Sequence, residues 1–245
     1  LVKAGADPNA LSTHHFTPLQ YACHEGHFEI VQWLIKEGGG DPYTRGDYGC
    51  IALHIACLTK QKEVAVWLMD QCHISPSITN QKGYDSFHYA CKICRDSKDP
   101  SELVRELWKR DATLGQGDPY TVPTALHFAA EWSPELCRML VRELNFDLMA
   151  RSVLGSVPLC HATSVGTMGT INCLVDLMQE KGLDLNVGDV RGLTPLHEAI
   201  LAGSLEKARL LLNRGLEVTA MSACNETPLH AASLAVGQVR KASSQ

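Results

Sequence analysis

The sequence predicts an all-α repeat fold, in which helix–turn–helix units alternate with short β-hairpin-like fingers. The first observation is a six-residue phrase, written most cleanly at 194–199 and 227–232, that returns seven times. Its copies begin near residues 17, 51, 85, 124, 157, 194 and 227, at steps of 34, 34, 39, 33, 37 and 33 residues. A period in this range indicates stacked supersecondary units. We therefore expect residues 1–245 to form a single array, with residues 1–10 as the tail of a preceding unit.

Each phrase is expected to begin a short inner helix. Thr17 and Thr194 stand where a threonine N-cap accepts a hydrogen bond from a free amide of the first turn. Pro18 and Pro195 follow at the first helical position, where a missing N–H costs nothing. The third position of the phrase, Leu196 in the sixth copy, is predicted to lie in the core.

A longer outer helix is predicted after each inner helix. In the first repeat its apolar residues recur at helical spacing, with polar residues between them. The predicted apolar face comprises Ile30, Val31, Trp33, Leu34 and Ile35, opposite Glu29, Gln32 and Lys36.

Two positions in every repeat favour a left-handed backbone, which glycine and asparagine adopt most readily. One lies twelve residues before the next phrase and should end the outer helix. It is occupied by Gly5, Gly39, His73, Ala112, Asn145, Gly182 and Gly215. The other lies two residues before the phrase and should form the turn. It is occupied by His15, Gly49, Gly83, Gly155, Gly192 and Asn225.

Some repeats depart from this pattern. The third carries about five or six extra residues, in 93–99 or 114–119. Its turn at 119–123 is expected to be irregular because it holds two prolines and no glycine. The fifth is expected to have a longer loop between its helices, at about 163–169. Both ends of the sequence stop in mid-repeat, so we expect a fragment of a longer protein or ends that fray.

The repeat resembles the ankyrin repeat over essentially the whole chain. The resemblance rests on the T-P-L-H-x-A phrase, on the glycine of the turn and on the G-A-D-x-N-A ending, which is complete at residues 5–10. It implies an ankyrin-repeat solenoid of about seven repeats that binds another protein through a concave groove. It also implies that the repeated histidines bond between neighbouring turns rather than catalyse a reaction.

Composition limits the classes of function. A net charge of −5 gives no reason to expect a nucleic-acid partner, which requires a basic face. No apolar run reaches the length of about 18 residues that a membrane-spanning helix needs, so no membrane insertion is expected. Ten cysteines scattered through helical patterns favour a reducing compartment, which predicts an intracellular protein of the cytoplasm, the nucleus or both.

The sequence gives little support for a catalytic or metal site. Cys91 and Cys94 form a CxxC pair with His88 nearby, but no second pair completes four zinc ligands. The alternative, a structural role for all three residues, is favoured. Nucleotide-binding, protease, hydrolase and kinase motifs are absent. We therefore predict no metal, no cofactor and no enzymatic activity within this segment.

Aromatic residues concentrate at the positions that the resemblance assigns to the groove. Tyrosine and tryptophan are enriched in binding hot spots because they combine a large contact area with a polar group. The alternative, that Tyr21, Tyr89 and Phe128 pack within the scaffold, stays open. The first four repeats are expected to carry the main contact surface, and the last three look like plain scaffold. The predicted partner-binding residues are Phe16, Tyr21, Tyr48, Tyr84, Tyr89, Tyr120, Phe128 and Trp132.

The predicted function is that of a scaffold or adaptor module. The alternative is the regulatory ankyrin region of a larger enzyme, channel or receptor whose activity lies outside this segment. A site within the array for metal or catalysis is the third hypothesis. The resemblance also implies asparaginyl hydroxylation as a modification, with Asn9 and Asn186 as candidates. Leu1 and Asp7 stand eight and two residues before Asn9, which matches the preferred context.

Overall fold

The computed structural model describes residues 2–92, 100–117 and 122–233 of the chain. These residues belong to two compact units, Leu1–Gly117 and Asp118–Gln245. In each unit, pairs of antiparallel helices alternate with short fingers, and helices at equivalent places in neighbouring repeats pack on one another. No helix in the described ranges is long and apolar enough to cross a membrane.

The first unit contains three helix pairs, each of an inner and an outer helix. A short 3-10 turn, Val2–Ala4, precedes them, and a second, Asp47–Gly49, lies in a finger. The pairs are α1 (Pro18–Glu25) with α2 (Phe28–Lys36), α3 (Ala52–Leu58) with α4 (Lys62–Gln71), and α5 (Ser86–Cys91) with α6 (Ser101–Arg110).

The second unit contains three further pairs and the start of another inner helix, at residues 228–233. The pairs are α7 (Ala125–Ala129) with α8 (Pro134–Arg142), α9 (Pro158–Val165) with α10 (Met168–Glu180), and α11 (Pro195–Leu201) with α12 (Leu205–Asn213).

The phrase therefore begins a helix wherever it occurs. The Thr17 hydroxyl accepts a hydrogen bond from the Gln20 amide at 3.1 Å, as the N-cap prediction requires. Leu196 is buried, together with the residues at the same position of the five preceding copies. In each unit these large apolar side chains contribute to the core, because their burial removes apolar surface from water.

The predicted left-handed backbone is confirmed at twelve of the thirteen positions, all except Ala112. His73 and Asn145 adopt φ of 54° and 58° although they are not glycine. Ala112 is the exception, and in its loop the positive φ angles appear later, at Gly115 and Gly117. α6 begins 16 residues after its phrase, whereas α4 begins 11 residues after its own, so the extra residues of the third repeat precede α6.

Two predictions about helices are wrong. Residues 166–167 alone separate α9 from α10, so the fifth repeat has no long loop there. α10 instead has 13 residues, and it begins directly after Thr167, whose hydroxyl accepts a hydrogen bond from the Thr170 amide at 3.2 Å. In α2, Ile30 and Trp33 are exposed while Val31 and Leu34 are buried, so the apolar residues do not form one buried face. The candidate insertion at 93–99 and most of the turn at 119–123 lie outside the described residues.

Candidate protein-binding surface

The fingers of each unit are joined into a row by backbone hydrogen bonds. Each finger closes on itself, as where the Asn80 amide donates to the Tyr84 carbonyl at 3.0 Å. The next contact runs between fingers, since the Gln81 amide donates to the Tyr48 carbonyl at 3.0 Å. In the second unit the Val190 amide donates to the Leu154 carbonyl at 3.1 Å in the same way. Side chains on neighbouring fingertips are therefore held at fixed spacing.

Three phrase histidines, His54, His127 and His197, tie their inner helices to the following finger. The His54 Nδ1 atom accepts from the Ile51 amide at 3.1 Å, and Nε2 lies 2.8 Å from the Ile78 carbonyl oxygen. Because a carbonyl can only accept, Nε2 carries the proton and the ring is neutral. Burial lowers the pKa of His54 to about 4, which keeps that state at neutral pH.

His127 and His197 make the same pair of contacts with the finger carbonyls of Ser156 and Glu226. The scaffold role predicted for these histidines is confirmed by this geometry. In the first repeat Gln20 replaces the histidine and still reaches the next finger, since its Nε2 donates to the Cys50 carbonyl at 2.8 Å.

Two aromatic clusters of the first unit lie on its accessible surface. Phe16 and Tyr21 pack with ring centroids 5.4 Å apart, and Tyr21 is exposed. Tyr48 is 54% exposed on its finger. The Lys82 ammonium from the next finger lies 3.9 Å from the Tyr48 ring centroid, at cation–π distance. The Tyr48–Lys82 pair therefore combines an aromatic ring with a charge, and aromatic side chains are enriched at protein-contact surfaces.

Tyr89 belongs to the scaffold rather than to the accessible surface, because it is only 7% exposed. Its hydroxyl accepts a hydrogen bond from Asn80 Nδ2 at 2.8 Å and lies 3.1 Å from Cys50 Sγ. Burial raises the pKa of Tyr89 and keeps the hydroxyl protonated. Tyr84 packs edge-on against it at 6.3 Å and is half-buried, so part of Tyr84 remains accessible.

The remaining predicted contact residues fall in different places. Phe128 is a residue of α7 and is only 8% exposed, so it too belongs to the scaffold. Trp132 follows α7 and is half-buried. Tyr120 lies outside the described residues. Thus Phe16, Tyr21, Tyr48, Tyr84 and Trp132 keep accessible surface, while the alternative of a packing role holds for Tyr89 and Phe128.

The second unit carries an apolar surface that aromatic content did not indicate. Val153, Leu154 and Val190 are 52%, 64% and 67% exposed at neighbouring fingertips. The repeat register assigns these residues to turn tips, but the predicted contact residues were all aromatic. The sequence did offer a signal for this surface: these tips are aliphatic, whereas the equivalent tips of the first unit hold polar residues and a tyrosine.

The outer helices of the first unit also present apolar groups to solvent. A cavity of about 550 Å³ lies along α4, lined by Phe28, Val66 and Trp67 and by polar side chains of the same helix. The Phe28 and Trp67 rings meet edge to face at 6.1 Å. The ionic groups at its rim form pairs with α6, Lys62 with Glu102 and Asp70 with Arg110.

Asn9 and Asn186 each fix the loop of the following repeat. Asn9 Oδ1 accepts from the Asp41 amide at 2.8 Å, and its Nδ2 donates to the Gly39 carbonyl at 3.0 Å. Asn186 Oδ1 accepts from the Glu217 amide at 2.9 Å. Both side chains therefore have a structural role at the hairpin base, whether or not they are modified.

Most of the described cysteines are buried. Cys23, Cys57 and Cys91 are buried, and burial raises the pKa of Cys23 and of Cys57 to about 12. Cys94 lies outside the described residues. Within the ranges that the structure covers, no three His, Cys, Asp or Glu side chains come together as ligands for a metal ion.

Comparisons with known proteins agree with this architecture. A family model described as ankyrin repeats (3 copies) matches residues 1–80 and 144–222. The solved structure of the ankyrin repeat domain of Bcl-3, a member of the IkappaB protein family, aligns with a TM-score of 0.61 and 25% identity, covering 92% of this chain and 98% of that one. The predicted fold class is thereby confirmed.

Two curated proteins are similar over part of the sequence. The human ankyrin repeat domain-containing protein 53 is 37% identical over 87 residues, or 34% of this chain. The ADP-ribosylation factor GTPase-activating protein AGD4 of Arabidopsis thaliana is 32% identical over 131 residues, or 47% of this chain. The chain spans 16% of the length of each of them.

Proposed function

Because the chain belongs to the ankyrin-repeat family, we propose that it is a scaffold or adaptor module that binds another protein through the face formed by its fingers and inner helices. Ankyrin repeats are protein–protein interaction modules, and their fold is typically non-catalytic. The observation that carries the proposal is the Tyr48–Lys82 pair, an exposed aromatic and a cation on fingers that are hydrogen-bonded to each other.

The repeats form a single array of about seven units in this proposal, and the face acts as a preformed surface. Rigid fingers favour binding because little side-chain and backbone freedom is lost on association. The contact residues in the first unit are Phe16, Tyr21, Tyr48 and Tyr84, with Trp132 in the second. The module uses no cofactor, binds neither nucleic acid nor membrane, and acts inside the cell, where its free thiols stay reduced.

A second candidate is a regulatory region within a larger protein. The observation that favours it is that the chain spans 16% of each curated relative, one of which is named a GTPase-activating protein. In this case the catalytic activity lies outside residues 1–245, and partner binding at the fingers would control it. Catalytic assays of a longer natural protein with the fingertip tyrosines replaced would show altered regulation.

Hydroxylation of Asn9 and Asn186 is a further proposal for these loops. Both side chains lie at exposed loop bases, but their amides are hydrogen-bonded, so modification requires the loop to open. Intact and peptide mass spectrometry of protein from its native source should show the addition of one oxygen. Unmodified peptides at both sites would refute the proposal.

Affinity capture with matched variants tests the binding proposal. Tyr21→Ala with Tyr48→Ala removes the two exposed groove tyrosines, and Tyr43→Ala removes an exposed tyrosine that bonds instead to the Cys72 carbonyl. Proteins captured by the wild type should lose affinity for the double variant and retain it for the control. Equal binding of all three baits would contradict the assignment of the surface.

A further inference from the structure

The apolar fingertips of the second unit form one continuous patch. Leu154 and Val190 lie on adjacent fingers joined by the 3.1 Å bond between the Val190 amide and the Leu154 carbonyl. A Cβ atom at Gly155 would lie 2.7 Å from Val190 Cγ1, so the two fingers are in close contact at this point. Val153 extends the patch along the first finger, and all three side chains are more than half exposed. Contiguous exposed apolar side chains indicate an interaction site, whereas isolated ones do not.

This patch is held rigidly. Arg151 Nη1 donates to the Gly155 carbonyl at 2.7 Å and to the Gly188 carbonyl at 3.0 Å, so it braces two successive fingers. The Ala223 amide donates to the Arg191 carbonyl at 2.7 Å and fixes the third finger to the second. The apolar side chains are thus presented at fixed spacing, which favours a partner with matching spacing.

Carboxylates line the inner helices beside the fingers. Arg191 Nη2 lies 3.2 Å from Glu198 Oε1 and its Nε lies 2.9 Å from Asp189 Oδ2, so this arginine links the finger to α11. On the neighbouring inner helix, His161 Nε2 lies 3.1 Å from Glu131 Oε1. Asp189 and Glu198 share the single guanidinium of Arg191, so negative charge is in excess beside this finger.

We propose that this face of the second unit binds a polypeptide segment that combines aliphatic side chains with a lysine or arginine. The inference rests on the proposed function and names the chemistry of the partner. The aliphatic side chains cover Val153, Leu154 and Val190. The basic side chain meets the Glu131 and Glu198 carboxylates, the second of which shares the Arg191 guanidinium with Asp189.

A random 12-residue peptide library displayed on phage, selected against the full chain, tests the proposal without a known partner. Enriched peptides are synthesised and their Kd values measured by calorimetry. They should share at least two aliphatic residues and one lysine or arginine. The variant V153S/L154S/V190S should weaken their binding by at least about tenfold, and E131Q/E198Q by about threefold with a smaller dependence on salt.

The controls separate this inference from the proposed function. Circular dichroism should show that each variant stays folded, and Y43A, which removes an exposed tyrosine outside both proposed surfaces, should bind the peptides as the wild type does. If Y21A/Y48A abolishes binding and V153S/L154S/V190S does not, the protein-binding function stands and this inference is overturned. Selection of no reproducible sequence, or of peptides without basic residues, would also overturn it.

Discussion

The Nε2 atom of His54 lies 2.8 Å from the carbonyl oxygen of Ile78, so one side chain joins the start of α3 to the next repeat. The ring is fully buried, and its Nδ1 accepts from the Ile51 amide. His54→Ala would leave both backbone groups without this partner. We expect it to lower the free energy of unfolding by about 2–4 kcal/mol, measured by urea denaturation followed by circular dichroism.

Two variants control this measurement. His54→Gln should cost less, about 1 kcal/mol, because Gln20 makes the equivalent contacts in the first repeat. His230→Ala removes the same phrase position where the ring is exposed, and should have a small effect. Equal destabilisation by all three substitutions would contradict a specific role for the bond to Ile78.

The buried imidazole also predicts a dependence of stability on pH. The folded-state pKa of His54 is lowered to about 4 from 6.5, mainly by burial. Between these values the unfolded chain binds the proton more tightly, so its protonation favours unfolding. The contribution of His54 is therefore complete above about pH 6.5 and is lost as the pH falls towards 4, by about 3 kcal/mol in total.

Comparison with His54→Gln isolates this effect from other titrating groups. The difference in free energy of unfolding between the two proteins should shift in favour of the variant by about 3 kcal/mol as the pH falls from 7 to 4. Urea denaturation at half-unit pH steps measures it. A difference that stays constant with pH would show that His54 keeps its ordinary pKa in the fold.

Replacement of the tyrosines by alanine should separate them into two classes by the effect on the stability of the fold. Tyr89→Ala removes a buried ring and its contacts with Asn80 and Cys50, and we expect a loss of about 3–5 kcal/mol. Tyr48→Ala removes an exposed ring and should change stability by no more than about 0.5 kcal/mol. Thermal unfolding of both variants makes the comparison. A large loss of stability for Tyr48→Ala would show that the Tyr48 ring supports the finger rather than being available to a binding partner.

The sequence predicted the repeat frame because the same local physics recurs in every copy. The phrase marks each inner helix, and the left-handed positions hold even where His73 or Asn145 replaces glycine. Burial of individual side chains depends on the neighbouring repeat, which a single repeat does not show. Tyr21 and Tyr89 occupy the same phrase position, yet only Tyr89 finds a buried hydrogen-bonding partner in Asn80.

Lys60 shows the same limit for a charged residue. It stands where Gly26 and Gly203 stand in other repeats and adopts φ of 58°. Its side chain is buried, and Nζ donates to the carbonyls of Leu58 at 3.1 Å and Tyr89 at 3.3 Å. The second carbonyl belongs to α5 of the next repeat, where a cation is favourable near the helix C-terminus. The presence of a lysine at this position of the sequence does not by itself indicate such a buried contact with the next repeat.

Leu196 and Leu201 provide a matched pair within α11. Leu196 is buried in the core, whereas Leu201 is exposed at the end of the helix. Leu196→Ala should reduce the free energy of unfolding by about 2–5 kcal/mol, through lost apolar burial and the cavity left behind. Leu201→Ala should change it by less than about 0.5 kcal/mol. Similar midpoints for the two variants in urea would contradict the position of the core.

Cysteine reactivity should follow burial along the chain. Cys224 is exposed on the last described finger, whereas Cys57 and Cys91 are buried in neighbouring inner helices. Burial raises the pKa of the Cys57 thiol to about 12, so very little thiolate is present at neutral pH. Brief alkylation at pH 7.5, followed by peptide mass spectrometry, should label Cys224 and leave Cys57 and Cys91 unlabelled. Urea should make all three react, and Cys224→Ser should remove labelling at that site while leaving the other two protected. Rapid labelling of Cys57 or Cys91 in the folded protein would mean that the packing of α3 against α5 opens on the timescale of the reaction, contrary to the burial seen here.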